Sequence, residues 1–361
     1  MSLQSQNREY SSGNDSTWPR ISIITPSFNQ GNFIEQTILS VLDQNYPNLE
    51  YIIIDGGSTD DTLKVIKKYE SRINYWISEP DSGQSDAINK GFQIATGTII
   101  NWLNSDDYLE EGALIKIANT FRKNSAAAIT CTVRNFIENG ETWTERTTTY
   151  QSSLDYLVKS FNNQPGTFFK KVIWDRYFPL PKQLHYTMDQ YLWFCFWLEH
   201  STSEFITESY ISTNFRRHLN SKTTLSDSTF LYNTLGKQFF NEHHLIFWSF
   251  FEALDKRKAN VLFKYFFDDF DYRSNQINFP ATLKFNTSLI ESVFQNYLLL
   301  LIKEDYKHGY FKRVKEGLTL LQDNLFMKNA ATEISQLKRK IFFFPLIKAY
   351  RGLYWKLKTQ G

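Results

Sequence analysis

The chain has 361 residues, enough for one large or two ordinary domains. Hydrophobic residues make up 42% and charged residues 22%, which excludes wholesale disorder and a collagen-like fibre. Forty lysines and arginines against 38 acids leave a formal charge of +2, which gives no reason to expect a nucleic-acid binder. Aromatic residues reach 17%, and their large buried areas promise a sizeable core. Cys131 and Cys195 are too few for a disulfide framework and lack metal-type spacing, which favours a reducing compartment. No run approaches the roughly 20 apolar residues that a bilayer crossing needs. Residues 1–18 are polar, lack the apolar stretch of a signal peptide, and read as a flexible lead-in to a cytoplasmic protein.

Along the chain, 21–24 is an apolar run meeting Thr25-Pro26-Ser27, the pattern of a buried strand entering a loop. Asn32 with Glu35 three residues on predicts a capped helix that puts Ile34, Ile38, Val41 and Leu42 on one face. A second strand, 51–54, stops at Asp55-Gly56-Gly57, and Ser58 opens a helix to residue 69. Residues 74–77, 85–95, 98–103 and 110–121 read as strand, helix, strand and helix. Such alternation implies a parallel sheet with helices on both faces. Further on, 129–136, Asn139-Gly140 and 142–150 predict a hairpin, so the central sheet is expected to be mixed. A helix over 187–198 and a strand over 205–215 follow.

From about residue 225 strand signals fade, and 289–303 and 316–325 have helical periodicity. The expected division is therefore a tail over 1–18, an α/β domain over 19–224 and a helical appendage over 225–361. Charge is uneven. Residues 50–111 carry twelve acids and five bases, whereas 337–361 carry seven bases and no acid.

Ligands of an α/β sheet bind outside the carboxyl ends of its strands. Four such ends here are polar: Thr25-Pro26-Ser27-Phe28-Asn29, Asp55-Gly56-Gly57-Ser58, Glu79-Pro80-Asp81-Ser82-Gly83 and Asn104-Ser105-Asp106-Asp107. Parallel strands would turn all four toward one crevice. Adjacent carboxylates repel unless solvated or neutralised. Asp106-Asp107 is thus either a metal bridge to a diphosphate or a solvated pair capping the next helix. Asp55 either accepts a hydrogen bond from a base or ribose, or shapes a tight turn capped by Ser58. Neither GxxxxGK[ST] nor GxGxxG occurs, so a P-loop and a dinucleotide fingerprint are excluded. Asp86 sits where a helix dipole favours an acid. Asp189 precedes an aromatic helix containing Trp193, Phe194 and Trp197, and reads as a base with an altered pKa or as a first-turn acid. Arg216-Arg217 suit an anionic partner, and His218 beside them is either part of that site or a plain surface residue.

Together, ITPSFNQGNFIEQTILSVLDQNYPNLEYIIIDGGSTDDT and SEPDSGQSDAINKGFQIATGTIINWLNSDDYLEEGAL strongly resemble family 2 glycosyltransferases. The resemblance runs over roughly 21–114 and more weakly to about 224. It implies a GT-A fold, the Rossmann-like fold of nucleotide-diphospho-sugar transferases, followed by a C-terminal helical region. It assigns Thr25, Pro26, Ser27, Asn29, Asp55 and Gly57 to the nucleotide, and Asp86 to the donor sugar or ribose. Asn104-Ser105-Asp106 occupies the DXD position, so Ser105 and Asp106 would meet the donor. Asp106, Asp107 and His218 would hold Mg²⁺ or Mn²⁺, and Asp189 would be the base. Two departures stand out: Asn104 replaces the first DXD acid, and Met188 replaces the acid before Asp189.

The implied reaction is inverting transfer from a nucleotide-diphosphate sugar to a hydroxyl of a glycan or lipid-linked acceptor. Polysaccharide biosynthesis at the cell envelope is the expected setting. A sugar nucleotidyltransferase would need a glycine-rich, basic phosphate loop where Thr25–Asn29 stands. A catalytically impaired sugar-nucleotide binder or scaffold is the reading that Asn104 and Met188 encourage. The basic and aromatic residues of 338–344 and 350–358 either rest on the inner face of an anionic membrane or pack as a final helix, and Pro345 favours the latter.

Overall fold

The computed structural model describes residues 18–138, 140–159, 163–218, 234–266, 270–285, 287–307, 309–323 and 334–339. The polar lead-in, Asn139 and most of the basic aromatic segment lie outside the described residues. The chain divides into two compact units, Met1–Phe285 and Asn286–Gly361.

The first unit opens with β1 (Ile21–Ser27), α1 (Ile34–Leu42), β2 (Leu49–Asp55), α2 (Thr62–Tyr69), β3 (Tyr75–Ser78), α3 (Gln84–Ile94) and β4 (Ile99–Trp102). These strands pair in parallel in the order β3-β2-β1-β4. β1 and β4 are buried along their whole length, which is why they read as unbroken apolar runs. β1 runs to Ser27 rather than entering a loop at Thr25, because Thr25, Pro26 and Ser27 pair with Ile53, Ile54 and Asp55. Proline is tolerated there because β4 pairs with β1 only as far as Ile24. α1 starts one residue later than a cap at Asn32 would place it. Phe33 is at its N-cap, and Glu35 reaches Lys68 and Tyr69, both at 2.6 Å. Likewise α2 begins at Thr62, since the Ser58 side chain is drawn to Asp55 instead.

The rest of the first unit comprises β5 (Tyr108–Leu109), α4 (Ala113–Lys123), β6 (Ala128–Ile137), β7 (Thr142–Glu145), α5 (Ser153–Lys159), β8 (Thr167–Lys170), α6 (Lys171–Tyr177), α7 (Met188–Glu199), β9 (Phe205–Arg217), α8 (Thr234–Leu254) and α9 (Lys256–Phe263). β8 joins β4 and β6 antiparallel, β9 runs parallel to β6, and β6 with β7 forms the expected hairpin. The outcome is a mixed sheet with flanking helices. One core lies between the sheet and α1, α2 and α4, built on Ile23, Ile38, Ile53, Ile66, Ile117 and Phe121. A second, aromatic cluster surrounds α7, where Tyr156 stacks on Trp197 at 3.9 Å and Phe194 meets Phe247 and Phe250 of α8.

In the second unit α10 (Thr287–Lys307) and α11 (Phe311–Asp323) pack together, and Leu298, Leu301, Val314 and Leu318 are buried. Both fall where the sequence has helical periodicity. Among the described residues no helix is long and apolar enough to cross a membrane.

Candidate active site

Because β1 to β4 are parallel, their carboxyl ends share one edge of the sheet, and the side chains there are bonded to one another. Asp55 ends β2, is fully buried, and its carboxylate accepts from Gly57 N, Ser58 N, Ser58 Oγ and Ser78 Oγ at 2.5–3.1 Å. Gly57 can aim its amide this way because its φ is +86°, which a side chain would oppose. Asn29 ties the loop after β1 to the same turn. Its amide donates to Ser58 Oγ, and its side-chain carbonyl accepts from Thr59 N at 2.9 Å. Thr25 points away from this edge, its hydroxyl 3.1 Å from that of Tyr51 inside the core. Pro26 is buried in the strand. Ser27 Oγ is buried without a hydrogen-bond partner beside Asp55, and Phe28 is 59% exposed at the strand's end.

The first turn of α3 links this cluster to the segment after β4. Gln84 donates to the Asn104 side chain at 2.9 Å, and Asn104 donates to Asp107 at 3.2 Å. Here the amide at position 104 earns a structural explanation: it donates to one neighbour and accepts from another, which a carboxylate could not do. Asp107 is buried and also accepts from Arg216 N at 2.9 Å. Burial first, then the charge of Asp106, push its pKa well above the usual aspartate range. Ser105 is buried, and its carbonyl accepts from Thr37 Oγ1 at 2.9 Å.

Asp106 faces the other way. Its Oδ2 lies 3.1 Å from His218 Nε2, and both side chains keep partial access to solvent. His218 rests against the Phe33 ring at 4.8 Å. Arg216 is not held out for an anion. Its guanidinium is sandwiched between Phe33 and Phe136, and it binds Gln36, Glu138 and the Asp106 carbonyl. In that position it fixes the backbone on both sides of the Asp106–His218 pair. Among the described residues no three His, Cys, Asp or Glu side chains gather as a preformed metal cage.

The opposite side of α3 faces residues 180–187. Asp86 is buried and pairs with Lys182 at 2.8 Å while accepting from Ser82 N. Burial alone would raise its pKa, but Lys182 and the Ser82 amide outweigh burial and hold it below the usual value. Ser85 donates to the Leu184 carbonyl, and Asn89 exchanges two hydrogen bonds with Leu180. This segment leads into Asp189, in the first turn of α7. α7 is apolar nearly all round, so its start is desolvated. Burial raises the Asp189 pKa to about 6, partly opposed by the Gln190 amide.

Sequence reasoning missed Glu242 of α8. Its buried carboxylate accepts from the amides of His185, Tyr186 and Thr187 at 2.7–3.1 Å. The available signal was a single acid within the otherwise aromatic stretch FFNEHHLIFWSFF, since carboxylates are seldom buried unpaired. Lys182 was missed for a plainer reason: nothing local marks a lysine as the partner of an acid 96 positions earlier.

Asp55, Asp106 and His218 thus lie at the carboxyl edge of a mixed α/β sheet, the edge at which proteins of the α/β class bind their ligands. Residues 22–178 match the glycosyl transferase family 2 model. Residues 22–178 are therefore similar to family 2 glycosyltransferases, and the mixed sheet with its flanking helices has the GT-A fold. The chain is 39% identical over 112 residues to TuaG of Bacillus subtilis (strain 168), named for teichuronic acid biosynthesis, covering 30% of this chain and 44% of TuaG. It is 33% identical over 135 residues to a chondroitin synthase of Escherichia coli, covering 35% of this chain and 20% of that protein. The matched regions span less than half the length of these relatives. Among solved structures, S. aureus TarS 1–349 in complex with UDP-GlcNAc shares the fold, with a TM-score of 0.50 at 16% identity over 80% of this chain and 92% of that one.

Proposed function

We propose that this protein is an inverting glycosyltransferase that moves a sugar from a nucleotide-diphosphate donor to a hydroxyl of a glycan or lipid-linked acceptor. The observation that carries this reading is the outward-facing Asp106–His218 pair at the sheet edge, on the same edge as Asp55. One carboxylate oxygen and one imidazole nitrogen suit Mg²⁺ or Mn²⁺ and leave positions for diphosphate oxygens. When bound there, such a cation neutralises charge that grows on the departing diphosphate. Asp107, turned inward to Arg216 and Asn104, holds the turn that presents Asp106.

The chain's own groups account for the remaining tasks. The exposed Phe28 ring offers a face for a base. Asp55, Gly57 and Asn29 stiffen that wall, and Asp86 with Lys182 closes the side toward the sugar. Asp189, held near pH 6, takes the acceptor hydroxyl proton as that oxygen attacks the anomeric carbon opposite the diphosphate. Attack from that face inverts the centre.

A role in polysaccharide synthesis is supported by the names of the relatives. A Campylobacter jejuni relative, 35% identical over 100 residues, is named a β-1,3-glucosyltransferase acting on GalNAc(5)-diNAcBac-PP-undecaprenol, which favours a lipid-linked acceptor here too. The setting proposed is the cytoplasmic side of the cell envelope.

The test is release of nucleoside diphosphate from a panel of UDP-, GDP- and dTDP-sugars with Mg²⁺ or Mn²⁺. Asp189→Asn is expected to lower turnover at least about a hundredfold while leaving nucleotide affinity nearly unchanged. Full turnover in that variant would remove Asp189 from the mechanism.

A further inference from the structure

The geometry points to Glu242, on α8, as the positioning residue for Asp189: its carboxylate gathers three consecutive amides and so fixes the turn that presents the acid. This deepens the reading of Asp189 as base and rests on it. The amides of His185, Tyr186 and Thr187 all point at one carboxylate, and Thr187 Oγ1 adds a fourth donor at 3.4 Å. Thr187 is the N-cap residue of α7, so the anchored turn ends two residues before Asp189. α8 is itself clamped in place. Phe239 packs on Tyr186 at 4.8 Å, and Phe247 and Phe250 pack on Phe194 of α7.

Two consequences follow from placing an acid there. Ordered amides set the direction in which α7 starts, hence where the Asp189 carboxyl projects. Burial chiefly makes Asp189 a stronger base than an ordinary aspartate, and the nearby negative charge of Glu242 adds a smaller push in the same direction. Glu242 is the charged group that acts on Asp189 across this contact, and His185 of the anchored turn acts in turn on Glu242. The adjacent cation, Lys182, is committed to Asp86. A glutamate that merely filled a gap between α7 and α8 would have no reason to satisfy three successive amides or to influence the acid beyond them.

The experiment uses the full chain without donor, carrying isotope-labelled aspartate, with the Asp189 signal identified by its loss in Asp189→Asn. Glu242→Gln is expected to move the Asp189 titration midpoint down by about half a pH unit or more. It should also speed hydrogen exchange of the amides at 185–187 at least about tenfold. Glu242→Asp, which keeps the charge but withdraws it by one methylene, should speed the exchange while leaving the midpoint raised. Unchanged midpoint in a folded Glu242→Gln protein overturns the inference, whether or not exchange changes, because Glu242 would then be structural alone. If Glu242→Gln does not fold, unchanged exchange in Glu242→Asp overturns it. A different result separates the two readings. If both readouts move as expected but Asp189→Asn retains full transfer, the anchoring stands and the role of Asp189 as base falls.

Discussion

Asp189 and Asp106 show how one type of side chain takes opposite tasks from its surroundings. Asp189 lies at the start of a helix buried on nearly every side, so its proton is held to about pH 6 instead of the ordinary 3.8. The proposed transfer should therefore gain rate as pH rises through about 6, and the rise should vanish in Asp189→Asn; initial rates across pH check this. Stability carries the opposite sign. The folded chain holds that proton more tightly than the unfolded chain, so stability falls as pH climbs from 3.8 to about 6. Glu242, also raised by burial, contributes in the same direction. Thermal melts of Asp189→Asn should show a shallower fall across that window and a higher melting temperature above it. Asp106 by contrast keeps access to solvent beside His218. Titration of UDP and GDP with and without Mn²⁺ should show metal-enhanced binding of whichever nucleotide is accepted. Asp106→Ala should abolish that enhancement, and His218→Ala should weaken it.

Helix α3 is the element that joins the two halves of the candidate site. Its first turn touches Asn104 through Gln84 and Lys182 through Asp86, and its second packs against β1. That packing depends on Gly91, where an added Cβ would stand 2.4 Å from Ile24 Cγ2 in a fully buried contact. Gly91→Ala is expected to lower stability, because overpacking costs about 1–3 kcal/mol against about 1 kcal/mol that alanine gains in a helix. Urea unfolding measures the loss. Adding Ile24→Ala removes the clashing Cγ2, so the double variant should be less destabilised than the sum of the single changes. Loss of donor binding in Gly91→Ala would accompany the stability change, since the same helix carries Gln84 and Asp86.

Over the molecule as a whole, the first unit extends to Phe285 and holds every residue of the candidate site. α8 contributes the Glu242 anchor and the aromatic clamp on α7. A chain ended after residue 224 is therefore expected to expose Phe194 and lose cooperative unfolding, whereas one ended after Phe285 should keep both cooperative unfolding and nucleotide binding. Calorimetric melts of the two truncated proteins distinguish these outcomes.

The alternation of β1 to β4 with α1 to α3 was legible in the sequence because each strand is a short apolar run bounded by turn residues, a signal carried by neighbouring positions. So was the gathering of acids at one edge, since parallel pairing puts every strand's carboxyl end on the same side. The strand β5 is only two residues long, and the pairing of β6 with β9 joins segments some eighty positions apart, so neither leaves a local trace. Which acid turns inward is likewise invisible along the chain. Asp106 and Asp107 are adjacent and chemically alike, and they diverge because Arg216, over a hundred positions later, offers its backbone N–H to one and its side chain to the carbonyl of the other. Local order reads periodicity, but the partner that stabilises a buried charge comes from wherever the fold brings a donor, and that is a property of packing in three dimensions.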